Sequence, residues 1–316
     1  MDPVTLTDGT PLHVNRAGDP EAEVTVVFSH GYALDHRCWD RISGDLPSAV
    51  ERPIQVVAYD QRGHGKSGDA TEQTATVEQL GDDLAELIGQ VAPAGAVVLV
   101  GHCMGGLTAA ALSERHPGLF TADAGTSPRV AALALLSTGA NHIAAEARAA
   151  TGLAVESSTS AVSAVITKLM WDLEALVGPR LVDLITDRAH KAMITSTRWS
   201  LFGEEPRAED VLLTLRMIRH HWPHTMALFR PALDEFVREV KLTLPAALPV
   251  IGLVGERDRL VTPEQATKLL APIAGADVIT LPRAGHMLPL ERAAEVLPRI
   301  VSLVHMVQRR LCDGTA

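Results

Sequence analysis

The feature that most constrains the fold of this 316-residue chain is a series of short aliphatic runs, each ending in a glycine-rich or polar turn. The runs are Val24–Phe28, Gln55–Ala58, Ala96–Val100, Val130–Leu136, Val250–Val254 and Ala276–Leu281. Runs that lack polar alternation are typical of strands buried on both faces. Helical patterns lie between them, as at Val77–Gln90 and Leu107–His116. Strands that alternate with helices predict an α/β protein with a mostly parallel, doubly wound sheet.

The alternation of strands and helices stops in the interval 141–225, which contains helical patterns and no strong strand. Three of the four tryptophans lie in it, namely Trp171, Trp199 and Trp222. We therefore predict a helical cap over residues 141–225, inserted into a core that residues 1–140 and 226–316 form together. The pattern of Met226–Val240 predicts a helix that leads back into this core.

Composition and charge argue against several classes of function. The chain is 47% hydrophobic and 21% charged, which is typical of a globular protein with a full aliphatic core. Its 28 basic and 38 acidic residues give a net charge of −10, so we expect neither nucleic acid nor a membrane as partner. Three scattered cysteines suit a reducing compartment, and we expect a cytoplasmic protein without a signal peptide. The apolar stretch Gly95–Leu112 contains His102 and four glycines, which favours a strand, turn and helix over a membrane span.

The strongest motif is Gly101-His102-Cys103-Met104-Gly105-Gly106, which follows a predicted strand and precedes a predicted helix. A nucleophile on so sharp a turn has a strained backbone, and the flanking glycines let neighbouring elements approach closely. The Cys103 side chain should then project above the carboxyl edge of the sheet, at a helix start whose dipole favours a thiolate. The alternative is a structural cysteine in an ordinary strand–helix turn, which the motif and its later partners disfavour.

A thiol nucleophile needs a base, and the base needs a group that orients it. His286 and Asp258 each come just after a predicted strand, where a parallel sheet gathers its site. We predict that His286 is the base and Asp258 the acid that orients it. Glu256 and Asp277 are alternatives for the acid, ranked lower because Glu256 would point away and Asp277 begins a strand.

Other polar residues are interpreted as structural. Asp60, Arg62 and His64 flank a tight glycine turn and are expected to tie loops together. A cluster of histidines comprises His220, His221 and His224. Pro223 interrupts the spacing that a helical metal site would need, so we predict no metal there and no cofactor elsewhere. Cys38 is expected to be a small packed hydrophobe and not a second reactive thiol.

Four further motifs accompany the one around Cys103. They are Ser29-His30-Gly31-Tyr32, Asp60-Gln61-Arg62-Gly63-His64-Gly65-Lys66-Ser67, Gly255-Glu256-Arg257-Asp258 and Gly285-His286. With these motifs the chain resembles the α/β-hydrolase family, in the branch of lipases, epoxide hydrolases and haloperoxidase-like enzymes. The resemblance covers nearly the whole chain and implies an α/β-hydrolase fold with a triad of Cys103, Asp258 and His286. Most members of the family carry serine where this chain has cysteine.

The oxyanion hole and the substrate pocket follow from the same arrangement. Two backbone N–H groups should bind the oxyanion, one from Met104 and one from Tyr32. The cap should lie over Cys103 and give a mainly apolar pocket. The side chains predicted to line it are Tyr32, Trp171, Trp199 and Trp222. The expected substrate is a small molecule with a hydrophobic acyl group, for which coenzyme A or a carrier protein is one conceivable carrier, and the enzyme is expected to be a monomer or homodimer.

An acyl-cysteine is a thioester, which reacts more readily with amines, thiols and alcohols than an ester does. Dienelactone hydrolases and polyhydroxyalkanoate synthases also carry a cysteine elbow, but they differ from this chain in length or cap. The first hypothesis is therefore an acyl-ester or thioester hydrolase acting through acyl-Cys103. The second is an acyltransferase or cyclase, and the third is a non-catalytic, ligand-sensing member of the fold. A serine-to-cysteine replacement that traps an acyl-enzyme would leave the same motif.

Overall fold

Nine strands and a set of helices make up the described part of the computed structural model, which covers residues 3–121, 128–140, 191–221 and 224–313. The strands are β1 Val4–Thr5, β2 Pro11–Leu12, β3 Val14–Gly18, β4 Val24–Ser29, β5 Gln55–Tyr59, β6 Ala96–His102, β7 Val130–Leu136, β8 Val250–Gly255 and β9 Asp277–Leu281. The helices are Asp40–Ala49, Val77–Val91, Met104–Arg115, residues 191–201, Ala208–His220, His224–Glu239, Pro263–Leu270, Leu288–Glu291 and Ala293–Cys312. All six aliphatic runs of the sequence are strands.

Seven of the strands form one sheet in the order β3-β5-β4-β6-β7-β8-β9. Only β3, at one edge, pairs antiparallel; the other neighbours are parallel. The register of β4 on β6 runs from Val24 beside Ala96 to Ser29 beside Gly101. Carboxyl ends of the parallel strands therefore meet at one edge of the sheet, as the predicted mostly parallel α/β fold requires.

The two faces of the sheet carry separate apolar cores. Val98 belongs to the core that the helix Ala293–Cys312 covers, while its neighbour Leu99 belongs to the core that the helix Val77–Val91 covers. Successive side chains of a strand point to opposite faces, so a central strand covered on both sides must be apolar throughout. That requirement explains why the aliphatic runs show no polar alternation.

Side chains fix the starts of two helices that pack on the sheet. The Thr76 side chain accepts a hydrogen bond from the Gln79 N–H at 3.1 Å, at the start of the helix Val77–Val91. Thr262 and Gln265 form a reciprocal capping box at the start of the helix Pro263–Leu270. Caps of this kind typically contribute about 1 kcal/mol each to helix stability.

Some element bounds differ from those that the sequence predicts. The helix predicted to begin at Leu107 begins at Met104, directly after Cys103. Gly105 and Gly106 have low helix propensity, which hid the first turn from the pattern. The helix predicted over Met226–Val240 is His224–Glu239.

Of the predicted cap, residues 191–201 and the helix Ala208–His220 are described, and both are helical. Residues 141–190 and 222–223 lie outside the described residues, and Trp171 and Trp222 are among them. The division into core and cap stays a prediction.

Among the helices of the described residues, we find none with the length and apolar character needed to cross a membrane.

Candidate active site

The nucleophile elbow, which we define as residues 101–106, turns the chain sharply from β6 into the helix Met104–Arg115. Cys103 has φ 52° and ψ −113°, a conformation that non-glycine residues rarely adopt. Its N–H donates to the Leu136 carbonyl at 2.9 Å, and its own carbonyl accepts from the Gly106 N–H at 3.0 Å. These hydrogen bonds hold the strained residue between the strand and the helix, with its side chain partly exposed.

Close packing behind the elbow requires glycine at position 105. A Cβ atom there would collide with the Ser29 carbonyl oxygen and would lie 2.8 Å from the His30 carbonyl oxygen. The first turn of the helix therefore packs directly on the loop that follows β4. The sequence motif predicted such a close approach, and these contacts show which backbone atoms are involved.

His286 lies in the base loop, which we define as residues 282–287, after β9. Its Nδ1 is 2.9 Å from Oδ2 and 3.1 Å from Oδ1 of Asp258, and both side chains are buried. Asp258 Oδ1 also accepts the N–H groups of Leu260 at 2.9 Å and Val261 at 2.8 Å. The carboxylate is thus fixed by its own loop, and Nδ1 of the imidazole is directed at it. Nε2 is then the ring nitrogen left for Cys103.

Electrostatics within this group favour a protonated imidazole. Burial alone would lower the pKa of His286, but the charge of Asp258 and the interaction with Cys103 raise that pKa well above its ordinary value. Burial would likewise raise the pKa of Asp258, and the neighbouring His286 lowers it instead. The structure brings Cys103, His286 and Asp258 together as an interacting set.

The two predicted oxyanion donors are the backbone N–H groups of Met104 and Tyr32. Met104 follows Cys103 at the start of its helix, and Tyr32 follows Gly31, where a Cβ atom would lie 3.3 Å from the Cys103 Cβ. Among the described residues, neither the Tyr32 N–H nor the Met104 N–H donates to an acceptor. Unpaired donors beside a nucleophile are what an oxyanion hole needs.

The Tyr32 side chain is held away from bulk water. Its hydroxyl donates to the Met226 carbonyl at 2.5 Å, and its ring packs against an apolar cluster that includes Leu107 and Phe229. Burial raises the pKa of the phenol well above its ordinary value. Tyr32 therefore connects the loop after β4 to the helix His224–Glu239.

The loop that carries Tyr32 is braced by a buried network that sequence reasoning missed. Gln61 donates its backbone N–H to Nε2 of His30 at 2.9 Å and its side-chain amide to the His30 carbonyl at 2.7 Å. Thr108, on the helix after the elbow, donates its hydroxyl to Gln61 Oε1 at 2.7 Å. His30 Nδ1 bonds the Gly31 carbonyl at 2.8 Å. His30 and Gln61 each belong to a motif noted in the sequence, but their contact is tertiary and cannot be seen from either motif alone.

The structure also separates Asp258 from the alternative acids. Glu256 Oε2 accepts the Arg283 backbone N–H at 2.8 Å and is engaged there. Asp277 is the first residue of β9, whereas His286 follows the end of that strand, so Asp277 lies toward the opposite edge of the sheet. Of the three carboxylates, Asp258 is the one hydrogen-bonded to His286.

Comparison with known proteins now identifies the architecture. A model described as "Alpha/beta hydrolase family" matches residues 26–299 of the chain. The chain belongs to the α/β-hydrolase family. The family and fold predicted from the sequence motifs are confirmed.

Relatives among curated proteins include esterases, lipases and lactonases. The 3-oxoadipate enol-lactonase 1 of Acinetobacter baylyi is 36% identical over 106 residues, or 34% of this chain and 37% of that protein. The bifunctional esterase/perhydrolase DCH of Acinetobacter calcoaceticus is 32% identical over 117 residues, or 37% and 40% of the two chains. Both matches thus span less than half of the relative's length. Lipase LipV of Mycobacterium tuberculosis is 28% identical over 295 residues, or 90% of this chain and 94% of that protein.

Solved structures share the fold at low sequence identity. A thermophilic esterase from Thermogutta terrifontis has a TM-score of 0.67 and 23% identity, with 97% of each chain covered. The enol-lactonase from Burkholderia xenovorans LB400 has a TM-score of 0.62 and 24% identity, covering 94% of this chain and 98% of that one. At such identities the likeness establishes the α/β-hydrolase fold and nothing finer.

The polar residues of the motif Asp60–Ser67 make structural contacts. Arg62 forms paired hydrogen bonds of 2.8 Å with the buried carboxylate of Asp83. Asp60 accepts the backbone N–H of Lys66 at 2.9 Å and contacts Nδ1 of His36 at 2.7 Å. Burial and a nearby second histidine lower the pKa of His64 well below its ordinary value. These contacts tie loops together, as the sequence suggested.

Within the described residues, His13, His36 and Asp60 form the group whose ligand atoms, all within 4.8 Å of one another, could hold a metal ion. Asp60 Oδ1 already accepts both the backbone N–H and the side chain of His36, each at 2.7 Å. A metal ion would have to displace the side-chain contact. The arrangement as it stands is a hydrogen-bonded ion pair.

The histidines His220 and His221, the second cysteine Cys38 and Trp199 make contacts that need no catalytic role. His221 uses both ring nitrogens on backbone groups, those of Gly65 and Met217, and the His220 ring contacts the Gly65 carbonyl at 3.2 Å. Cys38 is fully buried, which raises the pKa of its thiol well above the ordinary value. Trp199 is 58% exposed, with the guanidinium of Arg259 4.9 Å from its ring centroid. Its predicted place in a substrate pocket stays a prediction.

Proposed function

We propose that this α/β hydrolase cleaves carboxylic esters, thioesters or lactones through an acyl-Cys103 intermediate. One observation carries the proposal: a cysteine held at φ 52° on the strand–helix turn interacts with a buried histidine that is hydrogen-bonded to a buried aspartate. Esterase, lipase and lactonase relatives support the prediction that the chain is an α/β-hydrolase-type enzyme.

In the first half of the reaction, the Cys103 thiol gives its proton to Nε2 of His286, and the sulfur attacks the substrate carbonyl carbon. The carbonyl oxygen becomes an oxyanion, which the N–H groups of Tyr32 and Met104 bind. When the oxyanion collapses, the bond to the leaving group breaks, and protonated His286 gives its proton to the departing alcohol or thiol. Asp258 holds the imidazole in the tautomer and orientation that this transfer requires.

In the second half, water attacks the acyl-Cys103 thioester. His286, now neutral, takes a proton from the water, and the same two N–H groups bind the second oxyanion. The carbon–sulfur bond then breaks, which releases the carboxylic acid and regenerates the sulfur nucleophile. No cofactor or metal enters this sequence. An alcohol, amine or thiol in place of water would make the same intermediate an acyl donor.

The substrate proposed is a small molecule with a hydrophobic acyl group, bound in part by the predicted cap over residues 141–225. The many apolar residues of that interval support this part of the proposal. Of its three tryptophans, Trp199 lies within the described residues. Delivery by coenzyme A or a carrier protein, a monomeric or dimeric state and a cytoplasmic location form part of the same proposal.

Intact-protein mass spectrometry tests the intermediate directly. The protein is mixed with a panel of acyl thioesters and aryl esters of increasing chain length, quenched in acid and weighed. We expect an added acyl mass on the unmodified chain and none on Cys103→Ala. Cys312→Ala, which removes an exposed thiol at the far end of the chain, is the matched control and should acylate normally.

The products then separate hydrolysis from transfer. Turnover is measured in water alone and with added alcohol, amine or thiol acceptors, and the products are identified. Free acid as the main product in all mixtures supports the hydrolase, and preferential acylation of an acceptor supports the acyltransferase. Acylation of Cys103→Ala at the unmodified rate would rule out the acyl-Cys103 mechanism.

A further inference from the structure

The base loop is held by a segment that lies far away in the sequence. The backbone N–H groups of His286 and Met287 both donate to the Leu201 carbonyl, at 2.9 and 3.0 Å. The Glu204 N–H donates to the Arg283 carbonyl at 2.9 Å. We call residues 201–204 the rejoining segment, because this part of the predicted cap lies against the base loop of the core.

Glu291 joins these two pieces of backbone with one side chain. Its Oε1 accepts the Gly285 N–H at 2.9 Å, and its Oε2 accepts the Gly203 N–H at 3.0 Å. Gly285 directly precedes His286, so one carboxylate oxygen of Glu291 holds the backbone of the residue next to the base. Hydrogen bonds from neutral donors to an ionised acceptor are stronger than those between neutral groups.

The contact between the two segments leaves no room for a side chain at position 203. A Cβ atom there would collide with the Arg283 carbonyl oxygen and would lie 2.7 Å from the Gly285 nitrogen. The backbones therefore pack directly on each other, with Glu291 closing one side of the contact. Any displacement of the rejoining segment must also displace the backbone around His286.

Glu291 does not touch His286 or Cys103 through any hydrogen bond of the structure, so it is not a catalytic residue. The charged groups that act on its carboxyl are Arg292, its neighbour on the chain, and Asp258 in the loop after β8. Burial is the main reason that the pKa of Glu291 is raised above its ordinary value. Glu256 also accepts a base-loop N–H, that of Arg283, but its bond is exposed and does not reach the rejoining segment.

We propose that Glu291 is a positioning residue, whose carboxylate locks the base loop to the rejoining segment and so sets the distance between His286 and Cys103. The proposal rests on the proposed function in that His286 is taken as the base. Because the rejoining segment and the base loop share these hydrogen bonds, a displacement of residues 201–204 would also displace His286.

The test measures the reactivity of Cys103, which needs no substrate. Iodoacetamide labelling of Cys103 is followed by mass spectrometry from the pH range in which histidines ordinarily titrate up to alkaline pH, because the pKa of His286 is raised well above its ordinary value. The unmodified protein is compared with Glu291→Gln, with His286→Ala as the reference for a missing base. Glu295→Gln is the matched control, since Glu295 is 42% exposed and its contact is the ion pair with Arg292.

We expect the pH profile of Glu291→Gln to move toward that of His286→Ala, while Glu295→Gln follows the unmodified protein. A glutamine can accept one of the two N–H groups but presents its own N–H groups to the other. In turnover, kcat should fall by about tenfold with KM little changed, because a displaced base slows the chemistry and not the binding.

The outcomes separate this inference from the function on which it rests. If His286→Ala labels like the unmodified protein, the proposed base is wrong. If His286→Ala differs but Glu291→Gln matches the unmodified protein, the positioning role is wrong. Should the glutamine variant fail to fold, Glu291→Asp takes its place. Its shorter carboxylate keeps the charge but cannot reach both donors, and an unaltered profile for it overturns the proposal equally.

Discussion

The nucleophile elbow and the base loop meet at the same edge of the sheet, yet different contacts hold them. In the elbow, Cys103 is held by the turn itself, through its carbonyl and the Gly106 N–H, and by one hydrogen bond to Leu136 at the end of the neighbouring strand β7. The base loop depends on Leu201 and on Glu291, which belong to other elements. The local turn therefore contributes much of the placement of the nucleophile, whereas tertiary contacts place the base.

A hydrogen bond from the residue before the nucleophile also connects the two regions. His102, the residue before the nucleophile, contacts the His286 carbonyl through Nε2 at 2.9 Å, and its ring lies 4.9 Å from the His286 ring. Burial lowers the pKa of His102 to about 3, so this ring is neutral and its Nε2–H donates to that carbonyl. The elbow therefore contributes to the placement of the base loop as well as to that of its own cysteine.

The largest effect should follow from removing the nucleophile. Cys103→Ala keeps the backbone and the fold but leaves no sulfur to form the acyl-enzyme, so turnover should fall by at least about ten-thousandfold. Steady-state rates with an activated aryl ester measure the loss, and thermal unfolding checks that the variant is folded. A folded Cys103→Ala with undiminished turnover would contradict the assignment.

A somewhat smaller loss should follow from neutralising the acid while keeping its shape. Asp258→Asn should lower kcat by roughly a thousandfold, because the amide orients the imidazole wrongly. It should also lower the pKa of His286, since burial remains while the negative charge that opposes it is gone. An NMR titration of the His286 ring reports that shift. An unmoved titration would mean that Asp258 does not govern the base.

Features that depend on local patterns could be predicted from the sequence. The aliphatic runs predicted six strands and the parallel sheet, because burial on both faces leaves a simple apolar pattern. The elbow could be read from its glycines, and the structure indeed places Cys103 at positive φ. Both signals are local, and no knowledge of distant contacts is needed to see them.

What the sequence did not reveal depends on contacts between distant residues or on weak patterns. The edge strand β3 pairs antiparallel with β5, and its residues Val-Asn-Arg-Ala-Gly lack the apolar run of a central strand. The contacts of Gln61 with the loop after β4 and those of Glu291 with the base loop depend on tertiary placement. A carboxylate at position 291 has no distinguishing neighbours in the sequence, so only the folded chain shows which N–H groups it accepts.

The strain stored in the elbow can be measured as a stability difference. Glycine tolerates φ 52° without the steric cost that alanine carries, so Cys103→Gly should be more stable than Cys103→Ala by about 1 kcal/mol. Urea denaturation of both variants gives the difference. The exposed helical position Glu114 is the control, because Glu114→Gly should be less stable than Glu114→Ala, again by up to about 1 kcal/mol. If the glycine variant is less stable than the alanine variant at both positions, Cys103 carries no local strain.

The smallest effect should come from Tyr32, which separates its backbone role from its side-chain role. Tyr32→Phe removes the hydroxyl that donates to the Met226 carbonyl but keeps the ring and the N–H. Loss of that hydrogen bond should lower the free energy of unfolding by about 1 kcal/mol, since the buried carbonyl loses its donor. Turnover should change by less than about threefold, because the proposed oxyanion hole uses the backbone N–H of Tyr32 and not its hydroxyl. Denaturation and steady-state rates on the same preparation decide the matter. A large loss of kcat with stability intact would mean that the Tyr32 hydroxyl itself takes part in the reaction.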